Sequence, residues 1–319
     1  MLIMIKLCIS ILFFLYSPIY AQTYLYPGVY GNDLSNLILD TYKTSATLGY
    51  NSARDTMYSI IDSYDGSVSC IYTDFSVDLI PGNDPSTTMY LGGINCEHSW
   101  PQSMGASTEP MKSDLHHLFP CKDNVNSSRS NNPYSEIIDV LTNSWFYLDQ
   151  NLSSIPSNNI IDNFSESYTS SDEDSFEPKE NSKGNIARAM FYFKTIYPLE
   201  ADQSFFDIQK NTLFDWHYND SATIEEVNRT WLIASYQDNI PNPFIIDPTL
   251  VWRIYFFNSH PIADINSDQA IDVLDVVLVA NEILNINNLS DLQIHQSDLN
   301  ADFLVDVLDI IMIVSIIIG

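Results

Sequence analysis

Residues 95–136 read NCEHSWPQSMGASTEPMKSDLHHLFPCKDNVNSSRSNNPYSE, and they hold half of the six histidines of the chain. The same stretch supplies three candidate oxygen-bearing side chains for a site, Glu97, Asp114 and Asn126. The EH and DLHH patches lie on segments typical of two short strands joined by a loop, and a helix can begin near Asn126. The pattern predicts a strand–loop–strand–helix unit that brings carboxylate, amide and imidazole groups into one site.

These groups suit metal-assisted hydrolysis. A carboxylate together with an amide oxygen favours Mg²⁺, a hard cation that accepts few protein ligands and keeps several waters. A neutral histidine beside such a cation can take a proton from water. Zn²⁺ is the alternative ion, because three histidines lie close together in the sequence. Each residue taken singly also fits a purely structural, hydrogen-bonded role.

The motifs NCEHSWPQS, SDLHHLFP and NVNSSRSNNPY resemble, in order and spacing, those of the bacterial endonuclease I family. These are secreted or periplasmic nucleases with a ββα-metal (His-Me finger) site. Later segments also resemble the family, so the similarity runs from about residue 30 to 257. It implies an α+β fold, mainly helical around a small sheet with the ββα-metal motif. It also implies sequence-nonspecific hydrolysis of DNA, or of RNA, to 5′-phosphate products.

The resemblance implies particular roles for three residues of the first and third motifs. His98 would be the general base that activates the attacking water. Glu97 and Asn126 would hold Mg²⁺ or another divalent ion, which stabilises charge on the phosphate and on the departing oxygen. Glu97 and His98 are adjacent and would point to opposite faces of a regular strand, so we expect a bend or a strand end there.

The remaining polar residues of the motifs are expected to assist. Arg129 and Lys112 are the candidate cations for the substrate phosphate. Asp114, His116 and His117 are expected to support the second strand and its hydrogen bonds. Two alternatives to the nuclease function stay open at this point: a catalytically inactive extracellular binding or scaffold component, and a phosphodiesterase that prefers RNA or another phosphodiester.

The charge of the chain bears on how tightly it would hold nucleic acid. It has 41 acidic and 13 basic residues, a formal net charge of −28. Affinity for phosphate normally comes from Lys and Arg, so this acidity argues against the usual basic type of nucleic-acid binder. Many of the acids lie in the run at 165–180, expected to lie away from the cleft, and at 262–319. We therefore expect weak, salt-sensitive substrate binding that depends on the metal and a few local cations.

Residues 1–21, MLIMIKLCISILFFLYSPIYA, have a basic start, an apolar run and a small residue at the end. They predict a secretory signal peptide and thus a secreted or extracellular protein, in the periplasm or at the cell surface as alternatives; a membrane anchor is the other interpretation of the segment. An oxidising location permits one disulfide among three remaining cysteines. Cys96 and Cys121 flank the main motif and are the favoured pair, and a bridge from Cys70 to either stays open.

The tail contains an internal repeat. Residues 264–275, DINSDQAIDVLD, return at an offset of 34 residues as DLNADFLVDVLD at 298–309, and each copy precedes an apolar helical run. Oxygen-bearing side chains recur at positions 1, 3, 5, 9 and 12, a spacing that wraps a loop around Ca²⁺. The ten candidate ligands are Asp264, Asn266, Asp268, Asp272, Asp275, Asp298, Asn300, Asp302, Asp306 and Asp309.

This repeat resembles a type I dockerin module, a small all-α calcium-binding unit that docks onto a cohesin-type partner. The resemblance predicts two Ca²⁺ ions, a nuclease domain at 22–259 and a dockerin-like module at 260–319. Gln269 and Phe303 stand at loop position 6, where glycine is usual. A calcium-stabilised stalk or sorting module without a cohesin partner is the alternative, and so is a merely acidic face.

Elsewhere the local patterns predict elements of secondary structure. Residues 68–80 alternate and favour one strand, and 133–150 favour a helix. Residues 151–183 are rich in Ser, Asn and Asp and predict an exposed loop. An amphipathic helix is expected at 184–197, and strand-like structure toward the end of 242–256.

Overall fold

The computed structural model describes residues 23–171, 173–300 and 302–319. The signal peptide expected at residues 1–21 therefore lies outside the described residues. Within them the chain combines helices with three small antiparallel sheets, which confirms the expected α+β class. None of the helices in this part of the chain is long and apolar enough to cross a lipid bilayer.

The main core surrounds one helix, α5 (Lys183–Ile196). Every side chain of this helix except Asn185 is buried. The expected helix is confirmed, but it has no solvent-exposed face, because buried residues occupy its whole circumference. Its cation Arg188 can be buried there because the guanidinium is paired with the carboxylate of Glu226, at 2.6 Å. A fully enclosed central helix gives the rest of the domain a rigid support.

Several shorter helices contact α5, among them the first helix, which buries Leu34 and Ile38, four residues apart on one face. The other helices before residue 260 are α1 (Gly31–Tyr42), α2 (Tyr50–Thr56), α3 (Pro85–Leu91), α4 (Asp123–Arg129), α6 (Gln203–Asp207), α7 (Lys210–Asn219), α8 (Ile224–Ala234), α9 (Pro243–Ile246) and α10 (Thr249–Val251). Helix α2 continues into a π-helical turn at Met57–Ile61.

The strands form three sheets of orders β1-β2-β3, β4-β5 and β7-β6-β8-β9. Their bounds are β1 (Ser63–Tyr64), β2 (Ser67–Ser69), β3 (Ser76–Asp78), β4 (Ile94–His98), β5 (Leu118–Lys122), β6 (Ser144–Tyr147), β7 (Gln150–Leu152), β8 (Ser165–Thr169) and β9 (Asp174–Glu177). The two strands expected from the main motif are β4 and β5, and α4 follows β5 directly, as the sequence predicted.

The prediction for 133–150 was wrong, and that for 151–183 was wrong for the part from residue 165, because these segments supply the four strands of the third sheet; most of 153–163 is exposed, as predicted. The acidic residues of this segment indicated an exposed loop, yet the side chains of Glu166 and Glu177 are buried. Glu166 accepts a hydrogen bond from the Thr142 hydroxyl, and Glu177 accepts one from the backbone N–H of Ile137. Buried carboxylates are tolerated where distant residues supply such partners, and a local sequence pattern does not reveal them.

Two further segments differ from expectation. Residues 68–80 are not one strand, because a turn with Asp74 at φ 57° separates β2 from β3. The segment 242–256 forms α9, α10 and a π-helical turn, Trp252–Phe256. A proline at the first turn favours a helix start there, as Pro243 does in α9. Arg253 then fixes the π turn by donating to the carbonyls of residues 25 and 26, at 2.7 and 2.6 Å.

The tail forms α11 (Val273–Ile283), α12 (Asp291–Ser297) and α13 (Val307–Ile318) around its own small apolar core. The two repeated loops have the same hydrogen bonds. Residue 1 of each loop accepts from the backbone N–H groups at positions 5 and 6, and residue 12 accepts from those at positions 2 and 3. The repeat seen in the sequence is therefore a repeat of structure.

Loop position 6 is left-handed in both copies, with φ 70° at Gln269 and 66° at Phe303. This conformation explains why glycine is usual there. The Phe303 ring contacts the ring of Tyr24 edge-on, with centroids 6.0 Å apart, and Tyr24 lies under the guanidinium of Arg253. The second loop thus packs against the body that surrounds α5. A hydrogen bond from the Ser221 hydroxyl to α12 adds a second connection.

Candidate active site

The strand end that the sequence required is present. Strand β4 ends at His98, and Glu97 lies opposite Phe119 of β5 in the antiparallel register. Because the regular strand stops here, Glu97 and His98 both line one open cleft of about 460 Å³. Asn126, on α4, lines the same cleft. The structure therefore brings together the three residues that the sequence assigned to the chemistry.

One carboxylate oxygen of Glu97 is held by two neighbouring side chains. The phenol of Tyr72 donates to its Oε1 at 2.9 Å, and Arg129 Nε lies 3.0 Å from the same oxygen. Burial raises the pKa of Glu97 to about 7, and Arg129 acts in the opposite direction. Among the described residues its Oε2 has no hydrogen-bond partner. One oxygen is thus used for positioning and the other is left for a cation.

Arg129 was expected to be a candidate for the substrate phosphate, and the structure contradicts that role. Its side chain is 0% exposed. Besides the ion pair with Glu97, it donates to the carbonyls of Ser99 and Ser130, at 2.8 and 3.0 Å, and its Nε to the Tyr134 hydroxyl. The guanidinium is therefore turned away from the cleft, because a buried arginine must satisfy its donors inside the protein.

His98 has the hydrogen bonding of a base. Its Nε2 lies 3.0 Å from the carbonyl oxygen of Lys112, which assigns the proton to Nε2. Nδ1 then carries the lone pair and accepts a long hydrogen bond from the amide of Gln102, at 3.4 Å. Burial lowers the pKa of His98 to about 3, and the neighbouring His117 contributes. The ring is consequently neutral at physiological pH and able to accept a proton.

Asn126 is oriented through its amide nitrogen. Nδ2 donates to Oδ1 of Asn95 at 2.5 Å and to the carbonyl of Cys96 at 3.3 Å. These bonds leave Oδ1 without a partner among the described residues. A carboxylate oxygen and an amide oxygen in one open cleft fit Mg²⁺, which takes few protein ligands. Glu97 and Asn126 are thus able to hold such an ion.

The sequence suggested that Asp114, His116 and His117 lie on the second strand. In the structure they lie in a turn that precedes it. Asp114 caps a 3₁₀ turn at Leu115–His117. Burial acts to raise the pKa of Asp114, but His116, His117 and hydrogen bonds bring it below its usual value. Asp114 accepts hydrogen bonds from the hydroxyls of Tyr192 and Tyr197, at 2.8 and 2.7 Å. The turn is thereby fixed to the central helix.

The three histidines do not converge. Nε2 of His116 lies 2.9 Å from the carbonyl of Ile240, and Nε2 of His117 lies 2.6 Å from that of Met111. Among the described residues no three His, Cys, Asp or Glu side chains are grouped to hold a metal. The three histidines therefore do not form the shared site that suggested zinc as the alternative ion.

The favoured disulfide is also wrong. All three cysteines of the described chain are free thiols. In the β4–β5 register Cys96 lies opposite Pro120, one residue out of step with Cys121, so the two thiols project to opposite faces. Instead, Sγ of Cys121 lies 3.9 Å from Sγ of Cys70.

The sequence did not reveal several residues of the site. Tyr72 and Tyr134, whose hydroxyls lie 2.7 Å apart, stand behind Glu97. Tyr50 lies with its ring centroid 5.5 Å from that of His98. Tyrosines are common in this chain, and nothing in their local sequence distinguished these three. Only the position of Tyr134 inside the NNPYSE segment gave any signal.

The model of the Endonuclease I family matches residues 30–249. The match covers well over half of the chain, so the protein belongs to the Endonuclease I family, a family of phosphodiester-hydrolysing nucleases.

Two curated relatives are similar over part of their length. The extracellular ribonuclease of Bacillus subtilis (strain 168) is 26% identical over 180 residues, covering 50% of this chain and 52% of the relative. The extracellular ribonuclease of Bacillus amyloliquefaciens is 27% identical over 181 residues, with the same coverage. The chain thus spans about half the length of the curated relatives it matches.

Proposed function

We propose that the protein is a secreted, divalent-metal-dependent, sequence-nonspecific endonuclease that leaves 5′-phosphate products. The observation that carries this proposal is that Glu97, Asn126 and His98 line one cleft with atoms suited to this chemistry. Oε2 of Glu97 and Oδ1 of Asn126 have no partner among the described residues, and Nδ1 of His98 has only a long contact, 3.4 Å, to the amide of Gln102. Secretion is supported by the leader-like start of the sequence and by the printed names of both relatives.

His98 supplies the base in this mechanism. The carbonyl of Lys112 fixes its tautomer, so Nδ1 can take the proton of a water that attacks the phosphorus. Glu97 and Asn126 would hold Mg²⁺, which supplies charge stabilisation to the phosphate and to the leaving 3′ oxygen when bound. Arg129 and Tyr72 keep Glu97 in place.

The site engages a phosphate and not a base, so it is compatible with both DNA and RNA. DNA is the expected substrate from the family, and the ribonuclease names of the relatives favour RNA as the second candidate. Purified protein with Mg²⁺ should degrade plasmid DNA or ribosomal RNA, and EDTA should stop it. The His98→Ala variant, shown folded by circular dichroism, should lose the activity. Full activity in that variant would refute the assignment of the base.

The tail is proposed to be a separate module at 260–319 that follows a nuclease domain at 22–259. Its own apolar core, built from Ala263, Ile265, Val279 and Ile313, supports this boundary. Two Ca²⁺ ions are proposed for the loops, and a cohesin-type protein for the module. The repeated hydrogen bonding of the loops supports calcium, although no three carboxylates are grouped for a metal in the part of the chain that is described.

Calcium is tested on the full chain by isothermal titration. We expect two binding events in the wild type and one in a variant that carries Asp298→Ala. The absence of heat in the wild type would refute the calcium sites, whereas a pull-down with a cohesin domain tests the partner separately.

A further inference from the structure

The acidic chain leaves few cations free near its cleft. Six Lys and Arg side chains of the described residues form ion pairs with carboxylates, and these are Arg129, Lys179, Lys183, Arg188, Arg229 and Arg253. Arg54 and Lys112 are not among them. An unpaired cation in so acidic a chain is a candidate for an external anion.

Arg54 and Lys112 meet on one aromatic ring beside the base. The guanidinium carbon of Arg54 lies 4.8 Å from the centroid of the Tyr50 ring, and Nζ of Lys112 lies 5.0 Å from it. The Tyr50 ring is in turn 5.5 Å from the ring of His98. Two cations are thus gathered next to the general base, with an aromatic ring as their common support.

The donors of Arg54 are incompletely used. Its terminal NH2 nitrogen donates to Oδ1 of Asn51 at 3.1 Å, but Nε is buried and has no partner among the described residues. Lys112 contributes its backbone carbonyl to His98, and its ammonium group lies over the Tyr50 ring that neighbours the base. Neither cation approaches a carboxylate within ion-pair distance in the described ranges.

The neighbouring acids indicate on which side an anion would lie. Arg54 also borders a groove of about 400 Å³ that contains Asp55 and Asp84. Both carboxylates are turned to α3: Asp84 accepts from the N–H of Thr87 at 2.7 Å, and Asp55 accepts from Ser86. Their charge disfavours a phosphate in that groove. His98 lies on the other side, and the carboxylate next to it in the sequence, Glu97, is already paired with Arg129.

We infer that Arg54 and Lys112, supported by Tyr50, bind a backbone phosphate of the nucleic-acid strand next to the one that is cut. This inference rests on the proposed nuclease function and identifies how an acidic protein holds its substrate. Arg54 takes the place that the sequence had given to Arg129. The two side chains are positioning residues for the strand, because neither contacts the reacting atoms of the site.

The test separates binding from cleavage. Binding of a fluorescent DNA duplex is measured against salt in the His98→Ala background, with and without Arg54→Gln or Lys112→Gln. Lys210→Gln is the matched control, because Lys210 also lies over an aromatic ring, Phe256 at 5.0 Å, without an ion pair in the described residues. Each test variant should weaken binding about 3- to 10-fold and lower the slope of log Kd against log salt by about 1.

Kinetics of the single variants in the active protein give the second readout. Arg54→Gln should raise KM by a similar factor with little change in kcat, and Arg54→Lys should restore most of the loss. The inference would be overturned if Arg54→Gln and Lys112→Gln had the same Kd, salt slope and KM as Lys210→Gln. This holds even if the wild type cleaves well. An inactive wild type that still shows the Arg54-dependent salt slope would instead refute only the proposed hydrolysis.

Discussion

Arg129 places its Nε 3.0 Å from Oε1 of Glu97, and the two side chains are almost completely buried, at 0 and 3% exposed. The pair lies directly behind the proposed metal position. Breaking a buried pair by removing one partner leaves an uncompensated charge, which is far more costly than losing a surface ion pair. The cation that resembled a substrate contact in the sequence is therefore part of the support of the site.

Replacement of Arg129 by Gln should destabilise the protein. We expect the free energy of unfolding to fall by about 3 kcal/mol, because Glu97 would be left buried and unpaired. Urea unfolding followed by circular dichroism measures this change. Lys179→Gln is the control, since its partner Asp74 is half exposed, and it should cost about 1 kcal/mol or less. Equal losses in the two variants would contradict the role given to the buried pair.

Asn126 should control the metal requirement. In Asn126→Ala the amide oxygen is lost, and we expect the Mg²⁺ concentration for half-maximal activity to rise at least about 10-fold. Asn131→Ala is the matched control, because Asn131 is another amide that lines the same cleft. It should change the requirement less than about 2-fold. A similar Mg²⁺ dependence in the two variants would remove Asn126 from the site.

The buried His217 should make folding sensitive to acid. Burial lowers its pKa to about 3, with a contribution from Arg188, while Nε2 bonds to the carbonyl of Pro248 at 2.8 Å. The folded pKa lies below the unfolded value of about 6.5, so its stabilisation is complete above pH 6.5 and is lost as the pH falls toward 3. At pH 5 this loss amounts to about 2 kcal/mol.

His217→Leu tests this dependence. The variant should be less stable at pH 7.5, since the bond to Pro248 is gone, but it should lose about 2 kcal/mol less between pH 7.5 and 5. Chemical unfolding at the two pH values measures both quantities. If the pH dependence of the free energy of unfolding is the same in the variant and the wild type, His217 does not titrate as described.

Oxidation should join Cys70 to Cys121 and leave Cys96 reduced. The first two thiols lie 3.9 Å apart, whereas Cys96 is on the other face of the hairpin. Treatment with oxidised glutathione would form the bridge and release two equivalents of reduced glutathione. Peptide mapping without reductant identifies it. Cys96→Ser should leave the bridge intact and Cys121→Ser should prevent it; a peptide linked through Cys96 would contradict this pairing.

The sequence predicted the catalytic unit because its residue types are specific. Glu97, His98 and Asn126 lie on the elements that the motif suggested, and the structure brings them to one cleft. The sequence failed where distant partners reverse a local preference. Glu166 looked exposed until Thr142, more than twenty residues away, supplied its hydrogen bond.

Partners that are distant in sequence also explain why Arg129 was wrongly expected to bind the substrate phosphate. No local pattern shows that Arg129, the sixth residue of NVNSSRSNNPY, is buried against Glu97. Nor does one show that Arg54, on another helix, lies over the Tyr50 ring beside His98. The Lys and Arg side chains that are free to bind a phosphate can be recognised only when the positions of the carboxylates are known. In a chain with this excess of acids, the arrangement of acids decides which bases remain available.

Phe303 has a consequence for how the two ends of the molecule move. Its ring rests on Tyr24, and the Ser221 hydroxyl bonds to Asp291 of α12, so the tail is fixed at two separate points. Lengthening the connection near residue 260 would therefore not turn the tail into a swinging tether. The angle between the two calcium-type loops and the cleft of Glu97 is thus set by these side chains.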